Sequence, residues 1–328
     1  MKKEEYLKKL KFQLIDLPGE DLKQIEDFYE ELIYDGMDQG YTEEEILAKF
    51  DSPEEVAKKI RAEYGGLVVY TAKSGSREEK QQNYESSELI HTVRVETENL
   101  RIRVRTVEDG PVRVYFKPRD GQDKVTFEEK AGVFFFRHER KSGRLPLSWL
   151  NWFLDFNILI LEMPMNFAGN LYLTTSNGTI RAAGLGNLSR GEIASHNGMI
   201  RIENCQVSDL QIQTGNAKIE LSNLMGNRIE AAAGNGLISA KSCNFPEKLS
   251  LSTQNGAVTG RELTSDQIQL QTCNGIVSAT IIGAQNDYNI SSTTRNGFNN
   301  LDNVYEPDRS KSLIAKTHNG RIQIEFTE

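Results

Sequence analysis

The stretch that decides the fold is LYLTTSNGTIRAAGLGNLSRGEIASHNGMIRI, residues 171–202, in which an Asn-Gly pair occurs at 177–178 and again at 197–198. The pattern continues to residue 324, and the corner asparagines recur at a nearly constant spacing. The eight corner pairs are Asn177-Gly178, Asn197-Gly198, Asn216-Ala217, Asn235-Gly236, Asn255-Gly256, Asn274-Gly275, Asn296-Gly297 and Asn319-Gly320. A period near twenty residues predicts stacked coils, and it overrides the β-hairpin that a single Asn-Gly pair would suggest.

The residues around each corner fall into fixed columns. Most coils carry aliphatic residues six and four positions before the asparagine and threonine two before it, as Leu210, Ile212 and Thr214 do. Aliphatic residues return three and five positions after it, as Ile219 and Leu221 show. Residues two apart share one face of a strand, so each coil has an apolar face that only its neighbours can cover. We predict a mainly β fold, a single-stranded, right-handed parallel β-solenoid (β-helix).

The corner has its own chemical requirements. We expect the asparagine to adopt a positive φ and the glycine to be needed because it has no Cβ. We also expect the asparagine side chains of successive coils to form a hydrogen-bonded ladder. The spacing lengthens in the last two coils, where Asn299 replaces an apolar residue, and the loop at 303–311 is polar, so looser structure is expected there.

The residues before the repeat predict two further segments. Residues 65–88 are polar and contain glycine and serine, which is typical of a linker. Residues 89–170 alternate apolar and polar positions and are interpreted as irregular capping coils, since terminal repeats are usually atypical. The solenoid domain is therefore expected to span 89–328, with regular coils at 171–324.

Residues 1–64 predict a small all-α domain of four short amphipathic helices. Two helix starts carry capping boxes, Thr42 with Glu45 and Ser52 with Glu55. This segment holds 10 Lys and Arg against 18 Asp and Glu, a net charge of −8, whereas the remaining residues are neutral overall. The acidity predicts either a solvated face or a surface that docks to a basic partner.

Both tryptophans lie in one apolar segment, which we name the tryptophan patch: Trp149, Leu150, Trp152 and Phe153. An exposed apolar cluster of this kind would mark a site for a partner or for a membrane interface. A buried one would be a plug over an open end of the solenoid, where unpaired strand edges invite aggregation. Both interpretations remain open at this stage.

The sequence shows no arrangement of residues typical of catalysis or metal binding. The outward columns are mainly neutral and carry no stacked acids, and the histidines lack ligand spacing and are expected to be solvated. Cys205 and Cys243 fall in a core column, whereas Cys273 is expected to be accessible. Arg181 and Arg201 stack on the outside, where they either receive an anionic group or are simply solvated. We predict no enzyme and no cofactor.

Charge and hydropathy exclude some partners and locations. Neither part of the chain is basic, so no nucleic-acid partner is expected. The longest apolar stretch, 149–161, is interrupted by polar residues and is too short to cross a bilayer, and the first residues lack the apolar core of a signal peptide. These features predict a cytoplasmic protein whose membrane association, if any, is peripheral and at the inner face.

Two resemblances to known families add to these predictions. The run from Lys3 to Leu7, the Leu17-Pro18 break and the stretch 50–60 resemble the DUF1700 (HAAS) helical domain, whose members commonly precede membrane segments in Firmicutes and accompany PadR-type regulators. Residues 89–326, including 159–164 and each Leu-x-Leu-x-Thr-x-Asn-Gly-like coil, resemble the DUF4097 family, often labelled adhesins. The second resemblance implies a β-solenoid without an established activity.

The combination predicts a non-enzymatic binding or scaffold protein linked to cell-envelope stress sensing or signalling. Its partner would be another protein or a component of the envelope. Two alternatives are a carbohydrate-binding or carbohydrate-active solenoid and a surface adhesin.

Overall fold

The computed structural model describes residues 2–15, 41–64, 68–71, 89–116, 123–140 and 158–327, together with residues 22, 25, 26, 29, 30, 33 and 37. These residues fall into two compact units, one of which contains the helices and the other the strands.

The helical unit contains α1 (Lys3–Gln13), α2 (Glu43–Leu47) and α3 (Pro53–Tyr64). The capping box of α2 is present: Thr42 Oγ1 accepts from the Glu45 N–H at 3.3 Å, and the Glu45 carboxylate accepts from the Thr42 N–H at 2.8 Å. Both contacts satisfy backbone donors that the helix start would otherwise leave unpaired. The remaining predicted helix, at 22–33, lies mostly outside the described residues.

Aromatic rings form the centre of this unit. Tyr6, Tyr29 and Phe50 pack with ring centroids 5.5 to 6.1 Å apart. The Tyr6 hydroxyl donates to the Asp51 carbonyl at 2.9 Å, so its polar end is satisfied. Burial raises the pKa of Tyr6, because the phenolate would lose its hydration.

The second unit consists of strands and one short 3-10 turn at Gln285–Asp287. In chain order the strands are β1 Val68–Thr71, β2 Thr92–Thr97, β3 Arg101–Val107, β4 Arg113–Phe116, β5 Asp123–Lys130, β6 Val133–Arg140, β7 Ile158–Pro164, β8 Asn170–Thr175, β9 Ile180–Ala183, β10 Leu188–Ser195, β11 Ile200–Thr214, β12 Ile219–Met225, β13 Arg228–Ala233, β14 Ile238–Asn244, β15 Lys248–Thr253, β16 Val258–Thr264, β17 Gln267–Thr272, β18 Val277–Ile282, β19 Tyr288–Asn296, β20 Lys311–Asn319 and β21 Ile322–Thr327.

The strands form two sheets, and the chain alternates between them. Sheet A has the spatial order β1, β4, β7, β3, β9, the start of β11, β12, β14, β16, β18 and β21. Sheet B has the order β5, β6, β2, β8, β10, the end of β11, β13, β15, β17, β20 and β19. We call one sheet B strand with the sheet A strand that follows it a rung. Pairing between rungs is parallel, and antiparallel pairs occur only at the end that contains β1 and β5, within the described strands. The mainly β, parallel solenoid prediction is therefore confirmed.

The inward columns form one continuous core. Ile200, Ile219 and Ile238 are direct neighbours on consecutive rungs of sheet A, and all three are fully buried. Leu210 and Ile229 are paired in the same way in sheet B. Each buried aliphatic side chain contributes roughly 1.5–3 kcal/mol relative to exposure, so the stack of rungs is the main source of stability.

The threonine column is also buried, and its hydroxyls connect adjacent rungs. Thr272 Oγ1 donates to the Gly256 carbonyl at 2.8 Å, and Thr317 Oγ1 donates to the Gly275 carbonyl at 3.1 Å. A hydroxyl at this position therefore satisfies a buried carbonyl that faces the core near the corner.

The order of the rungs in space differs from their order in the chain. The regular rung β2–β3 lies between the rung β8–β9 and the strands β6 and β7, although all of 89–170 was predicted to be irregular. At the other end β20 pairs with β17 on one side and with β19 on the other, so the last segment of the chain inserts before the rung that precedes it in sequence. The expectation that rungs stack in the order of the chain was wrong at both ends. A strand pairs with an available strand edge, and that edge need not belong to the preceding rung in the sequence.

Two predicted segments are more structured than expected. Residues 68–71, placed in the linker, form β1 and pair antiparallel with β4. The loop after Asn296, expected to be loose, closes the end of the solenoid: the Asn300 side chain donates to the Ile324 carbonyl at 2.8 Å and accepts from the Ile324 N–H at 2.9 Å. Backbone groups of Val304 and Ile290 exchange hydrogen bonds at 2.8 and 2.9 Å. Both segments satisfy strand edges that would otherwise be open.

The corners need a glycine without a Cβ, as predicted, but the asparagines differ from the prediction. The corner asparagines have no positive φ, and neither does Gly236. A Cβ at Gly236 would lie 1.6 Å from the Ala217 carbonyl oxygen of the previous rung, and a Cβ at Gly198 would lie 1.7 Å from the Gly178 carbonyl oxygen. The predicted positive φ was wrong for the asparagines, and the glycine makes room for a neighbouring backbone. On five rungs a left-handed residue occurs seven positions after the asparagine: Gly184, Asn204, Asn223, Ser242 and Glu262.

Candidate ligand-binding face

The corner asparagines form an exposed ladder along one edge of the solenoid. In each step the side-chain Nδ2 donates to the Oδ1 of the adjacent rung, at 2.7 to 2.9 Å. The spatial order is Asn99, Asn177, Asn197, Asn216, Asn235, Asn255, Asn274, Asn319 and Asn296. Sequence reasoning missed Asn99, which is followed by leucine. Each amide in the middle of the ladder spends one donor and one acceptor on its neighbours, so the ladder is foremost a structural element.

In the predicted arginine pair, the charge of Arg201 is balanced by an acidic neighbour. Arg181 and Arg201 are neighbours on sheet A, as expected. Arg201 Nε donates to Glu220 Oε2 at 2.5 Å, and Lys218 Nζ pairs with the same carboxylate. Burial opposes ionisation of Glu220, but hydrogen bonds and charge from Lys218 and Arg201 prevail and lower its pKa. The positive charge at Arg201 is therefore already balanced, which weakens the case for an anion site here.

A groove of about 460 Å³ lies on the outer face of sheet A, between β14 and β21. Two outward columns line it, one of neutral hydrogen-bonding groups and one with charged ends. The first column is Ser239, Thr259, Ser278 and Gln323, and the second is Lys241, Arg261, Thr280 and Glu325. Sequence reasoning missed this site, since it judged the outward columns by their lack of stacked acids.

Small core-facing residues lie beneath the groove. Ala240, Gly260 and Ala279 occupy a core column that holds leucine or isoleucine at Leu221, Ile202 and Ile324. A Cβ at Gly260 would lie 2.5 Å from Leu263 Cδ1, which shows how closely this strand packs. The pairing of β16 with β18 shifts register between Gly260 and Leu263, and a shift of this kind bends a strand locally.

The cations of the groove are placed side by side without a counter-charge. Lys241 and Arg261 are direct neighbours on adjacent parallel strands, and both are exposed. Within the described part of the chain, neither side chain makes an ion pair or a hydrogen bond. Like charges on facing strand positions are destabilising. An unbalanced pair in a polar groove is therefore suited to an anionic ligand.

Two family models match the chain. Residues 5–59 match the HAAS model, and residues 90–328 match the Toastrack DUF4097 model. The chain belongs to the Toastrack DUF4097 family. A solved structure with similarity to this Toastrack chain is that of a "putative cell adhesion protein" from Clostridium sporogenes, with 10% identity, coverage of 80% of this chain and 99% of that chain, and a TM-score of 0.24. No curated protein matches the chain.

The tryptophan patch of this Toastrack chain, Trp149, Leu150, Trp152 and Phe153, lies outside the described residues, and so does most of the predicted linker. None of the helices that are described has the length and apolar character needed to span a bilayer. In the same residues, no group of three or more His, Cys, Asp or Glu is arranged to hold a metal ion.

The cysteines of the Toastrack solenoid divide as predicted. Cys205 and Cys243 are 3% and 1% exposed, and burial raises the pKa of each thiol to about 11. Cys273 is exposed. The two core thiols are therefore poor nucleophiles near neutral pH, since the thiolate is the reactive form.

One histidine contradicts the expectation of solvated side chains. His91, His196 and His318 are exposed, but His138 is 1% exposed because it occupies the threonine column, beside Thr97 on the next rung. Its Nε2 lies 3.0 Å from Asp123 Oδ1. Burial lowers the pKa of His138 and outweighs the opposing effect of Asp123, so the ring is neutral near pH 7.

Proposed function

We propose that this chain is a non-enzymatic binding protein whose solenoid serves as a rigid scaffold for a ligand-binding face on sheet A. The observation that carries the proposal is the groove that holds Lys241 and Arg261 side by side without a counter-charge. Every rung beneath it is connected to its neighbours by backbone pairing, by the buried core and by the asparagine ladder. A preformed face of this kind loses little conformational entropy on binding.

The arrangement of reactive groups supports binding over catalysis. Cys205 and Cys243 are buried thiols, and the exposed histidines His196 and His318 are far apart along the ladder. In the described residues the groove contains one carboxylate, Glu325, whereas glycoside hydrolysis commonly uses two positioned carboxylates.

The finer proposal is that this binding serves cell-envelope stress sensing or signalling. It is supported by the fusion of a HAAS-like helical segment with a Toastrack solenoid in one chain. The acidic segment 1–64 would contact a protein partner, while the groove on sheet A would contact an envelope component. The charge difference between the two segments supports such a division of roles.

The test uses the full chain and cell-envelope fractions in a sedimentation assay. Ser278→Tyr places a bulky side chain in the groove, and Ser250→Tyr makes the same change on an outward position of sheet B. We expect the wild type and Ser250→Tyr to be retained by the envelope fraction and Ser278→Tyr to be retained at least fivefold less. Absence of retention of the wild type, equal retention of both variants, or release of reducing sugar by the wild type would each contradict the proposal.

A further inference from the structure

This inference rests on the binding function proposed above, which does not name a ligand. The side chains that line the groove on sheet A indicate the chemical class of that ligand. We propose that the groove binds a short oligosaccharide with an acidic group at one end. Lys241 and Arg261 hold the acidic group, and the hydroxyl, amide and carboxylate groups further along hold the neutral sugar units. The carboxylate of a uronic acid and a sugar phosphate share this chemistry.

The charge distribution gives the ligand a direction. Lys241 and Arg261 lie at one end of the groove and Glu325 at the other. Successive rungs are ~4.8 Å apart, so the rungs of Lys241 and Glu325 are about 14 Å apart. A second anionic group at the Glu325 end would be repelled. An oligosaccharide with one terminal acid therefore fits better than one that is charged along its whole length.

A second cation pair in the same solenoid differs from the one in the groove. On sheet B, Arg228 and Lys248 are also direct neighbours one rung apart. There each cation has an acidic partner: Arg228 Nε lies 2.6 Å from Glu247, and Lys248 Nζ lies 2.5 Å from Glu230. The spacing of the two pairs is the same, so the missing counter-charge is what distinguishes the pair in the groove from the pair on sheet B.

The neutral part of the groove offers both donors and acceptors. The Thr280 hydroxyl oxygen accepts from the Glu262 N–H at 2.9 Å, which leaves its O–H to donate to a ligand. The Thr259 hydroxyl donates to the Ile238 carbonyl at 3.3 Å, which leaves its oxygen to accept. Gln323 supplies both kinds of group and Glu325 accepts only. Alternating donors and acceptors suit the hydroxyls of a sugar chain.

The lining argues against a peptide as the ligand. Its outward side chains are all polar or charged, so it offers no pocket for a large apolar residue. Peptide grooves usually combine main-chain hydrogen bonds with pockets for side chains. A ligand that is polar along its length matches the groove better.

Isothermal titration calorimetry on the full chain tests the proposal. The probes are a trisaccharide ending in glucuronic acid, the same trisaccharide ending in glucose 6-phosphate, the neutral trisaccharide ending in glucose, and inorganic phosphate. We expect at least one acidic trisaccharide to bind tenfold or more tightly than both the neutral trisaccharide and inorganic phosphate. The stronger of the two identifies carboxylate or phosphate as the preferred acid. Binding should weaken as salt is raised, because the contact is electrostatic and exposed.

Matched variants assign the binding to the groove. Lys241→Ser with Arg261→Ser should reduce affinity for the acidic trisaccharide at least tenfold, and serine suits this column because Ser222 occupies it one rung away. Arg228→Ser with Lys248→Ser removes the same charge at the same spacing on sheet B and should leave the affinity unchanged. Glu325→Gln should tighten binding of the acidic trisaccharide severalfold, which keeps a test available if the double serine variant does not fold.

Several results would overturn the proposal. They are equal affinity for neutral and acidic trisaccharides, inorganic phosphate bound as tightly as either acidic trisaccharide, and an unchanged affinity in both the Lys241/Arg261 and Glu325 variants. An acidic hexapeptide that binds more tightly than the acidic trisaccharides would do the same. If these results occur while the wild type still sediments with the envelope fraction, only the ligand assignment fails. Loss of sedimentation would instead remove the binding function on which it rests.

Discussion

Gly236 shows how a single residue determines whether two rungs can stack. Its missing Cβ leaves room for the Ala217 carbonyl oxygen, which would otherwise lie 1.6 Å away. Both contacting groups are backbone, so neither can move without disturbing strand pairing on both rungs. The same column holds glycine in seven of the eight corners of the repeat, and Ala217 is the exception.

We expect Gly236→Ala to destabilise the chain by about 3 kcal/mol, at the upper end of the usual cost of overpacking. Urea unfolding followed by far-UV circular dichroism measures the change. Ala217→Gly is the matched control, because it removes a Cβ from the same column and should change stability by less than about 1 kcal/mol. Equal effects of the two substitutions would show that the carbonyl contact is not what requires glycine.

The cysteines give a prediction that follows from their pKa values. Burial raises the pKa of Cys205 and Cys243 to about 11, whereas Cys273 is exposed. At pH 8 we expect iodoacetamide to label Cys273 within minutes, and the other two only after unfolding in guanidinium. Mass spectrometry of tryptic peptides measures the labelling. Rapid labelling of Cys205 or Cys243 in the folded chain would place them outside the core.

Single residues also show what could and could not be predicted from the sequence. The alternation of aliphatic positions identified the core columns, since periodicity depends only on neighbours along the chain. The need for a corner residue without a Cβ was predicted, but the atom that excludes the Cβ was not, because that carbonyl belongs to another rung. The balanced charge of Arg201 was missed for the same reason, because Glu220 is distant in sequence and faces Arg201 only when the two rungs are stacked.

The strand β6 places a titratable group inside the solenoid, and this gives a pH prediction. The pKa of His138 is lowered in the folded chain, so the unfolded chain binds a proton more readily as the pH falls. The contribution of His138 to stability is therefore complete above the unfolded pKa of about 6.5 and is lost as the pH falls below it. Asp123 and Arg140, which pair at 2.8 Å, and Glu98 are charged groups that act on it.

We expect the urea midpoint to fall more steeply between pH 7.5 and 5.5 in the wild type than in His138→Thr, which carries the residue found at this column on the next rung. His196→Thr is the control, because that histidine is exposed, and its pH dependence should match the wild type. Parallel curves for the wild type and His138→Thr would mean that His138 does not titrate between the folded and unfolded states.

The order of the end strands could not be predicted from the repeat alone. Residues 92–104 match the columns of the regular rungs, with Val93, Val95 and Thr97 before Asn99 and Ile102 after it. The signal was present, but Asn99 and Asn177 are separated by several times the length of one coil, so a search for a constant period passes over it. A search for the column pattern without a fixed spacing would have found this rung. The insertion of β20 between β17 and β19 leaves no comparable signal in the sequence.

The way in which the whole solenoid builds its outer faces explains why function was harder to predict than fold. Each outer face is built from residues of every rung. The residues of one site therefore lie one coil or more apart in the chain, and they are of different amino-acid types. Lys241, Arg261, Thr280 and Glu325 do not form a motif along the chain, and they become a groove only when the rungs are stacked. The small residues Ala240, Gly260 and Ala279 lie beneath it, and in the sequence they look like ordinary core positions.

The asparagine ladder, the groove and the ligand proposal all depend on rungs that stack in register. Disulfide cross-linking tests this stacking directly. In a Cys273→Ser background, Asn274→Cys with Asn319→Cys joins residues that are distant in the chain but on adjacent rungs. Asn274→Cys with Asn296→Cys joins residues that are nearer in the chain but two rungs apart. A disulfide needs Cα atoms about 4.4–6.8 Å apart, whereas positions two rungs apart are separated by roughly 9.6 Å. The stacking predicts that mild oxidation links the first pair and leaves the second pair reduced, and a link in the second pair alone, or in neither, would contradict it.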